Sequence, residues 1–176
     1  MSAGLDPELE AAARGVLTAF ESRGWRLALA ESCTGGLAAA ALTAVPGSSR
    51  VVEAGVVSYS NAAKTRLLGV EPALIAAHGA VSEPVAVAMA EGVRARMAVE
   101  AAASITGIAG PGGSEFKPEG RVCFGLARAE KPTRAWTVDF GALGRGEVRR
   151  RAALEALGAL ERAAQEQGPP SSERGA

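Results

Sequence analysis

The sequence of 176 residues has few of the groups that metals, disulfides, nucleic acids and membranes require. Its single histidine, His78, and its two cysteines, Cys33 and Cys123, do not have the spacing of a zinc site. Nineteen basic residues balance 19 acidic residues, so no basic field attracts nucleic acid or anionic lipid. No apolar run reaches the roughly 18 residues that cross a bilayer, and the first residues lack the features of a signal peptide. We therefore expect a reduced, cytoplasmic protein without a metal, a nucleic-acid partner or a membrane partner.

Apolar residues make up 48% of the chain, which is enough for one domain over residues 1–167, followed by a disordered tail at 168–176. Strands are predicted at residues 25–30, 51–59, 101–108, 122–127 and 135–140, the last two joined by a turn at Lys131-Pro132. Helices are predicted at residues 7–23, at 37–45, at 61–68 with Asn61 as the cap, after Pro72, after Ser82, and at 146–167. This alternation predicts an α/β fold, a three-layer α/β/α sandwich with a mostly parallel central sheet.

The segment Glu31-Ser32-Cys33-Thr34-Gly35-Gly36 stands where a predicted strand gives way to a predicted helix. A hydroxyl at such a turn faces free backbone N–H groups, and paired glycines let a substrate approach the main chain closely. The turn therefore suits a nucleophile or a phosphate site. Two alternatives stay open: Ser32 also fits a plain helix N-cap, and Cys33 fits either a small buried side chain or a thiolate.

A serine nucleophile needs a base, and Lys64 is the candidate that the sequence offers. His78 lies at a predicted helix end, away from any motif. Lys64 lies in the first turn of its predicted helix, where the positive end of the helix dipole disfavours a further positive charge and lowers the pKa of the amine. Tyr59 is placed to relay the proton or to hold the lysine. A solvated lysine and a strand-end tyrosine in the core are the alternative interpretations.

A second glycine-rich turn follows the strand predicted at residues 101–108. Its amides are able to form a nest for an anion, and it lacks the ending of a P-loop. Lys117, on the following Pro-containing loop, is either a ligand for phosphate or carboxylate or an exposed side chain. In a sheet of this type the ligand crevice lies at the carboxyl ends of the strands, which brings Ser32, Tyr59 and Thr106 to one place.

Seven motifs in this order closely resemble those of the CinA C-terminal domain family, the nicotinamide-nucleotide amidases. The resemblance runs from about residue 5 to about residue 160. The motifs are AESCTGG at 30–36, PGSS at 46–49, VSYSN at 57–61 with Lys64, LGV at 68–70, GAVSE at 79–83, TGIAGPGG at 106–113 and KPEG at 117–120.

The resemblance implies hydrolysis of the carboxamide of nicotinamide mononucleotide (NMN), which yields nicotinate mononucleotide and ammonia in pyridine-nucleotide (NAD) salvage. No metal or organic cofactor is expected. Longer members of the family carry an N-terminal domain that resembles molybdopterin-binding proteins and has pyrophosphatase activity. We do not expect that activity here.

Carried over to this sequence, the resemblance makes Ser32 the nucleophile, Lys64 the base and Tyr59 a neighbouring polar partner. Arg145 matches a family arginine and is an anion-binding candidate. The remaining substrate-binding candidates come from the two glycine-rich turns and from the loop after the second turn. They are Thr34, Gly35 and Gly36, then Thr106, Gly107, Gly110, Gly112 and Gly113, and finally Lys117.

Two other functions stay open. The first is a non-catalytic nucleotide-binding or regulatory module of the same fold. The second is an interaction domain for DNA uptake or repair, which the neutral charge and the lack of interleaved aromatic and basic residues argue against. The small residues after Gly36 favour close packing at a subunit interface, so we expect a homodimer.

Overall fold

The computed structural model describes residues 6–166, which form one five-stranded sheet with helices on both faces. The strands are β1 (Leu27–Glu31), β2 (Val52–Val57), β3 (Ala101–Gly107), β4 (Arg121–Arg128) and β5 (Lys131–Asp139). The helices are α1 (Pro7–Arg23), α2 (Leu37–Thr43), α3 (Asn61–Leu68), α4 (Pro72–His78), α5 (Glu83–Met97) and α6 (Arg145–Gln165). A short 3₁₀ helix, Ser48–Arg50, precedes β2.

The strand order in the sheet is β2-β1-β3-β4-β5. The pairs β1–β2 and β1–β3 are parallel, whereas β3–β4 and β4–β5 are antiparallel. Four strands therefore share one direction within the described residues, and β4 runs against them. The predicted three-layer α/β/α arrangement is confirmed, and the sheet is mixed in its pairings.

Each face of the sheet carries its own apolar core. Helices α1, α2 and α6 cover one face, where Phe20 and Leu157 pack against Leu27 and Phe124 of the sheet. Helices α3, α4 and α5 cover the other face around Met89. Each large apolar side chain that is removed from water contributes roughly 1.5–3 kcal/mol, so the two cores hold the helices at fixed positions over the sheet.

The ends of α1 follow the sequence prediction. Asp6 caps the helix by accepting hydrogen bonds from the N–H groups of Glu8 and Leu9, and Gly24 ends it with a φ of 64°. At α3 the prediction of Asn61 as the cap was wrong. Ser60 has the extended backbone of a cap, and its hydroxyl accepts from the N–H of Ala63.

Two further boundaries differ from the prediction. The turn between β4 and β5 lies at residues 129–130, where Glu130 has a φ of 60°, and not at Lys131-Pro132. Both of those residues lie in β5, and as an edge strand β5 tolerates a proline without an N–H donor. Helix α6 begins at Arg145, one residue earlier than predicted. Residue 167 and the tail predicted at 168–176 lie outside the described residues.

Candidate active site

The carboxyl ends of β1, β2 and β3 open into one pocket of about 360 Å³, as the crevice argument predicted. This pocket is lined by residues of both predicted glycine-rich turns and by Lys64, the predicted base. Those among the sequence candidates are Ser32, Tyr59, Lys64, Thr106, Gly107, Gly110, Gly112 and Arg145.

Lys64 meets Ser32 at the buried end of this pocket. The Nζ atom of Lys64 lies 2.9 Å from the Oγ atom of Ser32 and donates a hydrogen bond to the Ser58 carbonyl at 2.8 Å. Lys64 is 1% exposed and Ser32 is 7% exposed. Within residues 6–166 no carboxylate pairs with this amine. Helix α3 therefore turns its lysine inward to a hydroxyl and a carbonyl, which are neutral partners.

Burial lowers the pKa of Lys64 because the charged ammonium loses its hydration, and a nearby Cys33 thiolate would act in the opposite direction. A neutral amine has one lone pair and two N–H bonds. It is able to accept the Ser32 proton with the lone pair while an N–H donates to the Ser58 carbonyl. The pair therefore has the geometry and the electrostatics of a general base and its nucleophile.

Glu31 holds the start of the helix that follows the Ser32 turn. Its carboxylate is fully buried and accepts hydrogen bonds from the N–H groups of Gly36, Ala38 and Ala39 at 3.0, 3.3 and 2.8 Å. Gly36 is the cap residue of α2 and has no side chain to do this. A carboxylate at the positive end of a helix is favourable, so Glu31 replaces the missing cap.

Hydrogen bonds on the turn decide which amides remain available for an oxyanion. The Gly35 N–H donates to the Ser32 carbonyl at 3.0 Å, and the Gly36 N–H is held by Glu31. These two predicted substrate-binding glycines therefore shape the turn. Over the described part of the chain, the N–H groups of Cys33 and Thr34 donate to no oxygen of another residue. Of these two residues, Cys33 lines the pocket, whereas Thr34 is fully buried and is not a lining residue, so the Cys33 amide is the one available to an oxyanion.

Thr106 and Cys33 also line the pocket. Thr106 lies opposite Cys123 in the β3–β4 ladder, and its hydroxyl donates to the Ala80 carbonyl at 2.8 Å. The main chain of Thr106 is thus part of the sheet. Burial raises the pKa of the Cys33 thiol to about 12. The thiol is therefore protonated near neutral pH, which argues against the thiolate interpretation.

Tyr59 lies at the rim of the pocket and is 60% exposed. Its hydroxyl accepts a hydrogen bond from Nη2 of Arg145 at 2.8 Å, while Nη1 of Arg145 donates to the Gly110 carbonyl at 2.7 Å. The structure thus brings Arg145 into the pocket, as the family pattern implied. It joins Tyr59 to that arginine and not to the Ser32–Lys64 pair.

Two predicted ligands for the phosphate are not brought into the pocket. Lys117 donates to the carbonyls of His78, at 3.0 Å, and of Val81, since the end of α4 and the segment that follows it present them to its ammonium group. Gly113 is exposed and is not among the lining residues. In addition, the Gly112 amide donates to the carboxylate of Glu119 at 2.7 Å. A carboxylate of the protein itself therefore occupies part of the predicted anion nest.

The sequence analysis missed the roles of Glu31, Ser58 and Arg149. An acidic residue shortly before a cap position without a side chain was a detectable signal for Glu31. Ser58 acts through its main-chain carbonyl, for which a sequence carries no signal. Arg149 donates from Nη2 to the Thr34 carbonyl at 2.8 Å across 115 positions of sequence, a contact that only the fold creates.

No group of three or more His, Cys, Asp or Glu side chains in the described part of the chain is arranged to hold a metal ion. None of the helices in residues 6–166 is both long enough and apolar enough to cross a bilayer.

Comparison with known sequences identifies relatives of this chain. A CinA-like protein of Mycolicibacterium paratuberculosis is 54% identical over 146 residues, which are 79% of this chain and 33% of that protein. A CinA-like protein of Anaeromyxobacter is 52% identical over 149 residues, or 82% of this chain and 35% of the relative. The chain therefore spans about a third of the length of the curated relatives it matches.

Solved structures agree with this placement. A competence/damage inducible protein from Agrobacterium tumefaciens is 40% identical with a TM-score of 0.88, and the match covers 94% of this chain and 100% of that one. A competence damage-inducible protein A from Klebsiella pneumoniae is 35% identical with a TM-score of 0.86, covering 91% and 99% of the two chains. The family model of the CinA C-terminal domain matches residues 9–164. The resemblance seen in the motifs is confirmed, and the chain belongs to the CinA C-terminal domain family.

Proposed function

We propose that this chain is an amidohydrolase that converts NMN and water to nicotinate mononucleotide and ammonia. The observation that carries the proposal is the buried pair of Ser32 and Lys64, 2.9 Å apart at the inner end of a pocket. A buried lysine without a carboxylate partner has little use as a structural ion, because burying its charge costs free energy. It is well suited to removing a proton from a hydroxyl. The choice of NMN rests on the family resemblance.

Acylation is the first half of the reaction. Neutral Lys64 accepts the Ser32 proton while the Oγ atom bonds to the carboxamide carbon of the substrate. The Cys33 amide, next to Ser32 in the pocket, stabilises the negative charge that develops on the carbonyl oxygen. The C–N bond then breaks, and the proton held by Lys64 passes to the leaving nitrogen. Ammonia departs, and nicotinate mononucleotide remains as an ester on Ser32.

Deacylation follows the same path with water in place of the serine. Lys64 accepts a proton from a water molecule, whose oxygen bonds to the ester carbon. The bond to the Ser32 oxygen then breaks, and Lys64 returns the proton to that oxygen. One water is consumed in each cycle. The acid product and ammonia are released, and both side chains regain their starting protonation states.

The rest of the pocket suits the other parts of the substrate. Ala80, Val81 and Ile108 line it with apolar surface on which a flat ring is able to rest. Arg145 lies at the rim and carries a fork of donors that matches a phosphate. We assign Arg145 to the phosphate, which has to compete there with the hydrogen bonds to Tyr59 and Gly110.

The test is ammonia release from NMN by the purified protein without added metal. The Ser32→Ala variant is expected to lose turnover and keep substrate binding, which calorimetry measures. Ser22→Ala is the matched control, because Ser22 is an exposed serine of α1 whose hydroxyl, among the described residues, bonds only to the Ala19 carbonyl. Unchanged activity of Ser32→Ala would reject Ser32 as the nucleophile. Wild-type protein that binds NMN without turnover would favour the non-catalytic module instead.

A further inference from the structure

Arg149 connects helix α6 to the turn that carries Ser32. Its guanidinium donates to the Thr34 carbonyl at 2.8 Å and lies against Gly35, where an added Cβ atom would be 3.4 Å from the Nη2 atom. Within residues 6–166 this is the one hydrogen bond from a side chain to the main chain of residues 32–35. The contact therefore anchors the turn on α6, in addition to the hydrogen bond at 3.2 Å that the same carbonyl accepts from the Leu37 N–H of α2.

Arg149 contacts a carbonyl, whereas the arginines that follow it in the sequence contact carboxylates. Arg150 pairs with Asp6 and Glu8, and Arg151 pairs with Glu147. Over the described range no carboxylate lies within 4 Å of Arg149. Its Nε atom is buried without a hydrogen-bond partner. Burying this N–H group without a hydrogen-bond partner costs free energy, so the guanidinium is held at Thr34 against that cost.

The turn is short, and its other bonds leave few degrees of freedom. The Ser32 N–H donates to Ile105 of β3 at 2.9 Å, and the Gly35 N–H donates back to the Ser32 carbonyl. The Thr34 hydroxyl is buried and makes no hydrogen bond, so it does not orient the turn. The Thr34 carbonyl, which accepts from Arg149 of α6 and from the Leu37 N–H of α2, is thus the group through which the helical layer holds the turn between Ser32 and Gly35.

We infer that Arg149 is a positioning residue for amide hydrolysis, because it holds the Thr34 carbonyl and thereby keeps the neighbouring Cys33 amide oriented toward the oxyanion. The inference rests on the proposed function. Arg149 is not among the residues that line the pocket, so its effect reaches the reaction through the turn.

Kinetics of Arg149→Met test the inference. Loss of one oxyanion donor lowers kcat by about 10²–10³-fold, and a misplaced donor keeps part of its effect. We therefore expect kcat to fall by about 10- to 100-fold and KM to change by less than about twofold. Arg149→Lys is expected to recover part of the loss, since an ammonium group is able to donate to one carbonyl. Arg151→Met is the matched control on the same helix and is expected to behave as wild type.

Hydrogen exchange gives a readout that needs no activity. The Gly35 and Gly36 amides are hydrogen-bonded within the turn, and we expect both to exchange about tenfold faster in Arg149→Met but not in Arg151→Met. Wild-type protein without amidase activity would reject the proposed function, and the exchange data would still test the anchor.

Three results would overturn the inference. Unchanged exchange at Gly35 and Gly36 would show that Arg149 does not hold the turn. A rise in KM with kcat unchanged would make Arg149 a substrate ligand. Unchanged kcat with faster exchange would show that the turn orientation does not matter for the reaction. If Arg149→Met does not fold, the same measurements on Arg149→Lys decide, with smaller effects in the same directions.

Discussion

Replacing Lys64 by methionine is expected to change how the free energy of unfolding depends on pH. Methionine keeps much of the length of the side chain and removes the amine. In the wild type that amine is 1% exposed, and burial lowers its pKa in the folded protein. In the unfolded chain the same lysine titrates near its ordinary value of about 10.4. The two states therefore bind different numbers of protons over the range between these values.

This difference in proton binding decides whether the free energy of unfolding rises or falls with pH. Between the lowered folded pKa and about pH 10.4, the unfolded chain holds one proton that the folded protein does not, so the free energy of unfolding rises with pH. The slope reaches about 1.4 kcal/mol per pH unit at most. This contribution is fully present above about pH 10.4 and is lost as pH falls through the folded pKa. Lys64→Met lacks it. The variant also leaves the Ser58 carbonyl without its amine donor, which costs about 1–3 kcal/mol at every pH.

Urea unfolding from about pH 6 to about pH 10 measures these slopes, with the fluorescence of Trp25 and Trp136 as the signal. We expect the wild type to gain stability relative to Lys64→Met as pH rises. Lys131→Met is the control, because Lys131 lies at the surface, with 39% of its side chain exposed, and its removal is expected to leave the slope nearly unchanged. Equal slopes for wild type and Lys64→Met would refute the assignment of a lowered pKa to Lys64.

The same proton governs the proposed reaction. Only the neutral amine accepts the Ser32 proton, so kcat/KM is expected to rise with pH through the folded pKa of Lys64. The stability slope is expected to begin near the same pH. An acid limb of the rate profile that lies far from the start of the stability slope would assign the catalytic proton to another group.

Two further predictions test the packing and the thiol. In Gly92→Ala the new Cβ atom would lie 1.9 Å from the Leu68 carbonyl oxygen at the end of α3, so we expect a loss of about 1–3 kcal/mol in unfolding free energy and reduced activity. Gly146→Ala in α6 meets nothing within 4 Å and is expected to be neutral or to gain up to about 1 kcal/mol in urea unfolding; a similar loss in both variants would contradict the steric argument. Because the pKa of Cys33 is raised to about 12, iodoacetamide at about pH 8 is expected to leave this residue unmodified by mass spectrometry. Rapid alkylation of Cys33 in the folded protein would contradict its burial.

The sequence predicted those parts of the fold that local chemistry decides. Asp6 and Gly24 mark the ends of α1 because a side-chain cap and a left-handed backbone are local properties. Ser32, Tyr59 and Thr106 were expected at one place because the strands end there, and they line the pocket together with Lys64, the candidate base, and Arg145, which the family resemblance added. The turn between β4 and β5 was misplaced because a proline in an edge strand carries the same sequence signal as a proline in a turn.

Other parts depend on contacts that no local pattern encodes. Lys117 was expected at the phosphate, yet its ammonium group is held by the carbonyls of His78 and Val81, which the chain order does not reveal. The anchor of Thr34 on Arg149 likewise exists only in the folded protein. The homodimer, the cytoplasmic location and the substrate stay predictions.

The antiparallel direction of β4 has a consequence for how the mouth of the pocket is able to change. The chain leaves β3 and enters β4 at the same edge of the sheet, and the base of the intervening loop is closed by hydrogen bonds from Ile108 to Arg121 and from Gly120 to Ile108. Insertions or deletions beyond this closure alter the mouth of the pocket and leave the strand register intact. The length of one loop is therefore able to change the shape of the pocket mouth without disturbing Ser32 and Lys64 beneath it.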